Sequence, residues 1–197
     1  MYNYLKSTNM KKTAILMIIT ALTFAMVSFR PAAVKYVSSK THIKFFSTTP
    51  AEDIEANNYK AISTIDQSTG EVVFSVPMQS FEFEKALMQK HFNQEKFLDT
   101  KTYPKAKLTG KIINLDEINW DKEGTYNAGI KGDLTIRGVT KPYTEKGIIT
   151  VLQNTLTVNS TFNVTLADHG IAFEKGKPST NIAETVEVTV VAEYQKQ

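Results

Sequence analysis

The chain has 197 residues, with 23 basic and 20 acidic side chains, three histidines and no cysteine. The lack of cysteine excludes disulfides, thiol nucleophiles and Cys-ligated metals. Four of the 23 basic residues (Lys6, Lys11, Lys12 and Arg30) fall in residues 1–33, which carry no acid, so 19 basic face 20 acidic residues in the remainder, a net of −1 with no basic excess to attract nucleic acid.

Met10-Lys11-Lys12 is a short basic run, and Thr13–Phe29 is almost wholly apolar. A basic run followed by an apolar one is the pattern of a secretory signal, and the apolar run is short for a span of about 20 residues. Residues 1–29 are therefore read as a secretory signal segment, with an uncleaved N-terminal anchor as the alternative. Ala25, Ser28 and Ala33 are the candidate last residues before cleavage. A periplasmic or secreted location follows. Residues 34–197 form one domain, and about 165 residues are enough for a real core.

From there the chain reads as mostly strand. Lys35–Val37 and His42–Phe46 form a short opening pair. Tyr59–Ile65 alternates, Asp66–Gly70 is a turn, and Glu71–Val76 is the partner strand, stopped by Pro77. Ala106–Leu115, Gly124–Ile136, Lys146–Leu152, Thr155–Leu166 and Glu184–Tyr194 follow. In the last, Val186, Val188, Val190, Ala192 and Tyr194 share one face and Thr185, Glu187, Thr189 and Glu193 the other. One dry and one wet face per strand predicts an all-β, antiparallel barrel of about eight strands, closed to avoid bare edges.

Ser80–Phe97 departs from this. Glu84–Phe92 lacks Gly and Pro and is rich in helix formers. Leu87, Met88 and Phe92 fall on one arc of a helix, with Glu84 and His91 within the same arc, and Phe81 and Phe83 precede it at strand spacing. This predicts one short amphipathic helix covering the barrel.

Candidate chemistry is sparse. The histidines are His42, His91 and His169, and no HExxH, GxSxG or Gly-rich phosphate loop occurs. The expected cofactors, metal ligands and catalytic residues are none. His91 is either a polar group under the lid that meets a ligand headgroup, with Glu84 nearby, or a half-buried histidine satisfied locally. Asp168-His169-Gly170 reads as a turn. Arg137-Gly138-Val139-Thr140-Lys141-Pro142 joins two strands; Arg137 and Lys141 either hold an anionic headgroup or form a solvated hairpin tip. Glu52-Asp53-Ile54-Glu55 is an acidic loop, and Trp120 pins the polar stretch Asp116–Lys122.

Two stretches carry a resemblance. Lys131–Tyr143 (KGDLTIRGVTKPY) resembles the L-T-I-x-G-V-T-K signature of the YceI-like, polyisoprenoid-binding family. HFNQEKFLDTKTYPKAKLTG matches that family's second pattern through His91, Phe92, Phe97, Asp99, Tyr103, Pro104 and Leu108. The resemblance covers about Val34 to Tyr194. His42-Ile43-Lys44-Phe45 keeps part of the family's early strand, whereas STTPAEDIEA stands in place of its second histidine and glycine. Leu166-Ala167, before Asp168-His169-Gly170, replace a residue that is often basic.

The resemblance implies a lipocalin-like barrel holding a long-chain isoprenoid, quinone or other amphiphilic lipid, without shared catalytic residues. On the residues, the expected lining is Phe45, Phe81, Phe83, Leu87, Met88, His91, Phe92, Phe97, Leu134 and Phe162. A transient membrane contact and a homodimer are compatible with this. Three classes stand at this point: a lipid-binding or lipid-transport protein, which is preferred; a filled barrel serving as an interaction or structural module; and an enzyme using His91 and Glu84 as acid and base. The sequence does not decide between a filled and a hollow barrel.

Overall fold

In a computed structural model the protein is described over residues 34–171, 173–174, 177–178 and 182–197. The expected signal segment lies outside the described residues. The strands are β1 (Lys35–Thr48), β2 (Asp53–Asn58), β3 (Ile62–Asp66), β4 (Glu71–Pro77), β5 (Phe81–Phe83), β6 (Lys105–Ile112), β7 (Gly124–Ile136), β8 (Val139–Val151), β9 (Thr155–Thr165), β10 (Phe173–Glu174), β11 (Lys177–Pro178) and β12 (Thr185–Lys196), with helix α1 (Ala86–Asn93) between β5 and β6. Every pairing is antiparallel, in the order β12-β9-β8-β7-β6-β4-β3-β1, and β12 returns to pair with β1. The expected eight-stranded barrel is therefore closed. β2 and β5 extend it beside the second half of β1.

Strand alternation sets which side chains point inward. In β6 the pattern is strict: Ala106, Leu108, Gly110 and Ile112 are buried, while the lysines and Thr109 between them are exposed. The opening pair is a single strand, interrupted by a bulge between Ser38 and Lys40 that shifts the inward positions. The acidic loop is in part a strand: Asp53 to Asn58 pair back onto β1. The β7–β8 connection is a two-residue turn, Arg137 (φ 49) and Gly138 (φ 73), so β8 begins at Val139, seven residues before the alternation at Lys146 signals it. Gly132 faces Gly110 across β6–β7, where a Cβ would collide with the Thr109 carbonyl and the Gly110 Cα.

The barrel interior is unequal along its axis. Towards one end it is filled. Tyr194 and Leu156 are completely buried, and Ile65, Val72, Ile149 and Ala192 pack around them. Ser63 Oγ donates to the Tyr194 hydroxyl at 2.6 Å. Trp120 stacks on Tyr36 with centroids 5.7 Å apart, so the Asp116–Lys122 stretch is pinned across this end.

Burial raises the ionisation of Tyr194 well above its ordinary value of 10.0, against a smaller opposing pull from the Ser63 hydroxyl; Tyr143 is raised too, by burial first and by the Glu145 carboxylate second. A phenol with a raised folded value contributes stability that is complete below its unfolded value and is lost as pH climbs past it. Urea unfolding should therefore give constant stability approaching pH 10.0 and falling stability beyond it. Tyr194→Phe should flatten that fall while costing about 1–3 kcal/mol at neutral pH, through the Ser63 hydroxyl left unpaired.

Candidate functional site

Towards the other end the inward side chains do not meet. They enclose a cavity of about 890 Å³, lined along the strands by Ile43, Phe74, Leu108, Ile130, Val158, Val164, Val186, Val188 and Val190. Its volume lies in the range of small-molecule pockets, roughly 300–1,000 Å³.

One wall is phenylalanine. Phe45 from β1, Phe81 and Phe83 from β5 and Phe92 from α1 form a continuous cluster: Phe45 stacks on Phe92 at 5.7 Å, Phe83 meets Phe92 at 5.0 Å and Phe81 meets it at 5.5 Å. Phe97 approaches Phe92 at 6.2 Å. Aromatic pairs at such spacings contribute about 0.5–1.5 kcal/mol beyond area burial. The helix is thus anchored through Phe92, which is 6 % exposed.

Nine of the ten residues expected to line the cavity do so: Phe45, Phe81, Phe83, Met88, His91, Phe92, Phe97, Leu134 and Phe162. Leu87 does not. It is 63 % exposed on the outer side of α1. The helix has only eight residues, and the turn that seats Phe92 also seats Met88, one turn earlier, with Gln89 beside it. Leu87 is rotated away from that contact, at the edge of the arc that the helical wheel had included.

The polar lining residues are Ser47, Glu52, His91, Gln94, Lys96, Lys107, Tyr143 and Ser160. Glu52, His91, Gln94 and Lys96 line the cavity near α1 and the β1–β2 hairpin. His91 is exposed. Glu84 is not on the cavity; with Asp53, Glu55 and Glu82 it lines a separate shallow depression outside. Deeper in the wall, Tyr143 sits edge-on to Phe162 at 5.2 Å. Ser160 donates to the Lys146 carbonyl at 2.8 Å. The other two histidines are engaged away from the cavity. His169 is buried with Nδ1 3.0 Å from the Val139 carbonyl, and His42 stacks on Tyr59 and meets Asn57 Oδ1 at 2.8 Å. Among the described residues, no three His, Asp or Glu side chains are grouped as metal ligands.

Arg137 is not a solvated tip. Its guanidinium donates to the Gly170 carbonyl and, at 3.1 Å, to the Glu95 carbonyl. It thereby ties the segment after α1 to the corner after β9. Tyr103 packs over Gly138, so closely that a Cβ there would strike the ring. Asp99, at φ 45, accepts the Tyr103 amide on its carbonyl at 2.8 Å. The two sequence patterns therefore meet in space at the cavity end and hold its rim. Alternation within recognised strands would have supplied Leu108, Ile130, Val158 and Val186 as lining residues. Tyr143 closes the signature stretch Lys131–Tyr143 without being marked there as lining, and Ser160 shares the alternation of Val158 and Phe162 but, being polar, does not stand out as an inward residue.

A closed eight-stranded antiparallel barrel with an apolar chamber at one end is the class that fold and site define. The YceI-like domain model matches residues 26–194, and the chain belongs to that family. Among solved structures it is similar to a polyisoprenoid binding domain from Saccharophagus degradans implicated in plant cell wall breakdown (16% identity, TM-score 0.69, covering 82% of this chain and 98% of that one). It is also similar to BcnA of Burkholderia cenocepacia (16% identity, TM-score 0.64, 78% and 95% covered) and to the YCEI protein of Campylobacter jejuni (17% identity, TM-score 0.55, 71% and 82% covered). No curated protein matches the chain.

The contrast between Phe92 and Leu87 on α1 gives a paired expectation. Phe92→Ala should destabilise the fold by about 3–5 kcal/mol, as a large buried aromatic does when truncated. Leu87→Ser should change it by no more than about 0.5 kcal/mol. Urea denaturation of both variants checks this.

Proposed function

We propose that the protein is an exported, non-catalytic binding protein that holds a long-chain amphiphilic lipid, of isoprenoid, quinone or fatty-acid type, with its chain in the apolar chamber and its polar end among Glu52, His91, Gln94 and Lys96. The observation that carries this is the chamber itself: about 890 Å³ of space walled by aliphatic strand residues and the phenylalanine cluster, with its charged groups near one end. Each methylene moved from water into such a wall contributes about 0.8 kcal/mol, so about fifteen supply roughly 12 kcal/mol before ordering costs. The Saccharophagus degradans domain of the same fold is described as polyisoprenoid-binding, which supports the ligand class. Glu84 does not line the cavity that His91 lines, so the pair expected as acid and base does not face one chamber, which favours binding over acid–base catalysis. The basic and apolar start of the sequence supports export.

The test is direct titration with a fluorescent long-chain fatty acid and competition by polyprenols. Val188 lines the chamber from β12. Val188→Trp should lower affinity by about tenfold or more, some 1.4 kcal/mol, while the urea midpoint stays close to that of the parent. His91→Ala should weaken binding only a few-fold. Saturable binding that Val188→Trp leaves unchanged would place the ligand outside the chamber.

A further inference from the structure

The barrel wall is not paired all the way round. The β8–β9 ladder runs only from Val151↔Leu156 to Ile148↔Asn159. Beyond that point β8 remains paired with β7 as far as Val139, and β9 remains paired with β12 as far as Thr165. Residues 139–147 and 160–165 therefore flank a seam with no ladder across it, beside the cavity.

Three features of the sequence fit an open seam. Pro142 lies within β8 and has no N–H to give; a proline is tolerated in a strand where one edge lacks a partner. Lys141 and Glu145 share the strand face of Tyr143 and of the buried Gly147, the face that points inward lower down. Lys141 is exposed and Glu145 half-exposed, although a closed wall would put both into an apolar interior. Between them Tyr143 is buried. Its ring packs edge-on against Phe162, and Ser160 of β9 reaches across to the Lys146 carbonyl of β8. At the far end His169 spans to the Val139 carbonyl. Side chains, not a β ladder, stitch this part of the wall.

We propose that the β8–β9 seam is a lateral opening into the chamber, that Tyr143 is its plug, and that the apolar chain of the ligand passes through it. The route rests on the lipid-binding reading; the opening does not. Displacing Tyr143 breaks one ring contact, whereas lifting α1 would pull Phe92 out of the phenylalanine cluster. The seam is the weaker part of the wall.

The chain has no native cysteine, so single cysteines report access without interference. Ser160→Cys stands at the seam; Leu108→Cys lines the cavity from β6, away from it. A charged methanethiosulfonate reagent should modify the first faster than the second by an order of magnitude. Adding Tyr143→Ala should accelerate only the Ser160→Cys reaction, and Tyr143→Phe, which keeps the ring and loses the hydroxyl, should do so to a smaller degree. Equal rates at the two sites, or equal acceleration of both, overturn the opening. Stopped-flow uptake of a fluorescent long-chain fatty acid then tests the route: Tyr143→Ala should speed association several-fold, and unchanged association overturns it. Selective modification of Ser160→Cys with no uptake by the parent protein or any variant overturns the lipid-binding reading and with it the route, and leaves the opening standing.

Discussion

The pairing of the first strand with the last, from Tyr36↔Lys196 to Phe46↔Glu187, is the contact on which the rest of the structure depends. It closes the sheet, and a closed sheet has an inside that every strand must face with alternate residues. What those residues do then depends on size. Tyr194, Leu156, Ile65 and Tyr36 are buried together and fill one half. Val186, Val188, Val190, Val158 and Val164 are too short to meet in the other, and Phe45, Phe81, Phe83, Phe92 and Phe97 lie together on one wall. A filled floor and a hollow chamber thus follow from one barrel with different side-chain lengths along it.

Closure also transfers a burden to the chamber end, where the strands run out and loops must finish the wall. Arg137 carries much of it, bridging two carbonyls of segments far apart in sequence, while Asn93 and Thr100 clasp the turn after α1 through a 2.8 Å hydrogen bond. The rim is thus held by polar contacts to backbone and the lid by aromatic contacts to the wall. The β8–β9 seam lacks a ladder of its own beside the chamber, as does the free edge of β5, which α1 adjoins through the Phe83–Phe92 contact. The same stretch that marks the family, from Leu134 through the Arg137-Gly138 turn to Tyr143, lies along that seam.

Much of this was legible in the sequence because it depends on period. The barrel, its approximate strand number and most inward positions follow from alternation, and β12 shows its dry and wet faces without ambiguity. The cluster of Phe81, Phe83 and Phe92 was visible as a density of aromatic residues around a helical stretch. Other features do not depend on period. Leu87 sits at the edge of the helical arc, and which edge residue is buried is decided by where Phe92 docks. The bulge at Ser38/Lys40 hides β1 as one strand, because it shifts the alternation midway. The role of Arg137 depends on two carbonyls brought together only by folding. Hollowness is the furthest from the sequence, since it is the difference between summed side-chain volume and the space that the backbone encloses.

The central claim is that the valine- and phenylalanine-lined half of the barrel holds an apolar chain. Native mass spectrometry of the protein, purified without detergent and followed by solvent extraction and lipid analysis, tests it most directly. The account predicts a stoichiometric adduct that comes off as an isoprenoid, quinone or fatty chain, or its appearance on adding such a lipid to the apo protein. A clean apo mass that stays unchanged when polyprenols, quinones and fatty acids are supplied would contradict it.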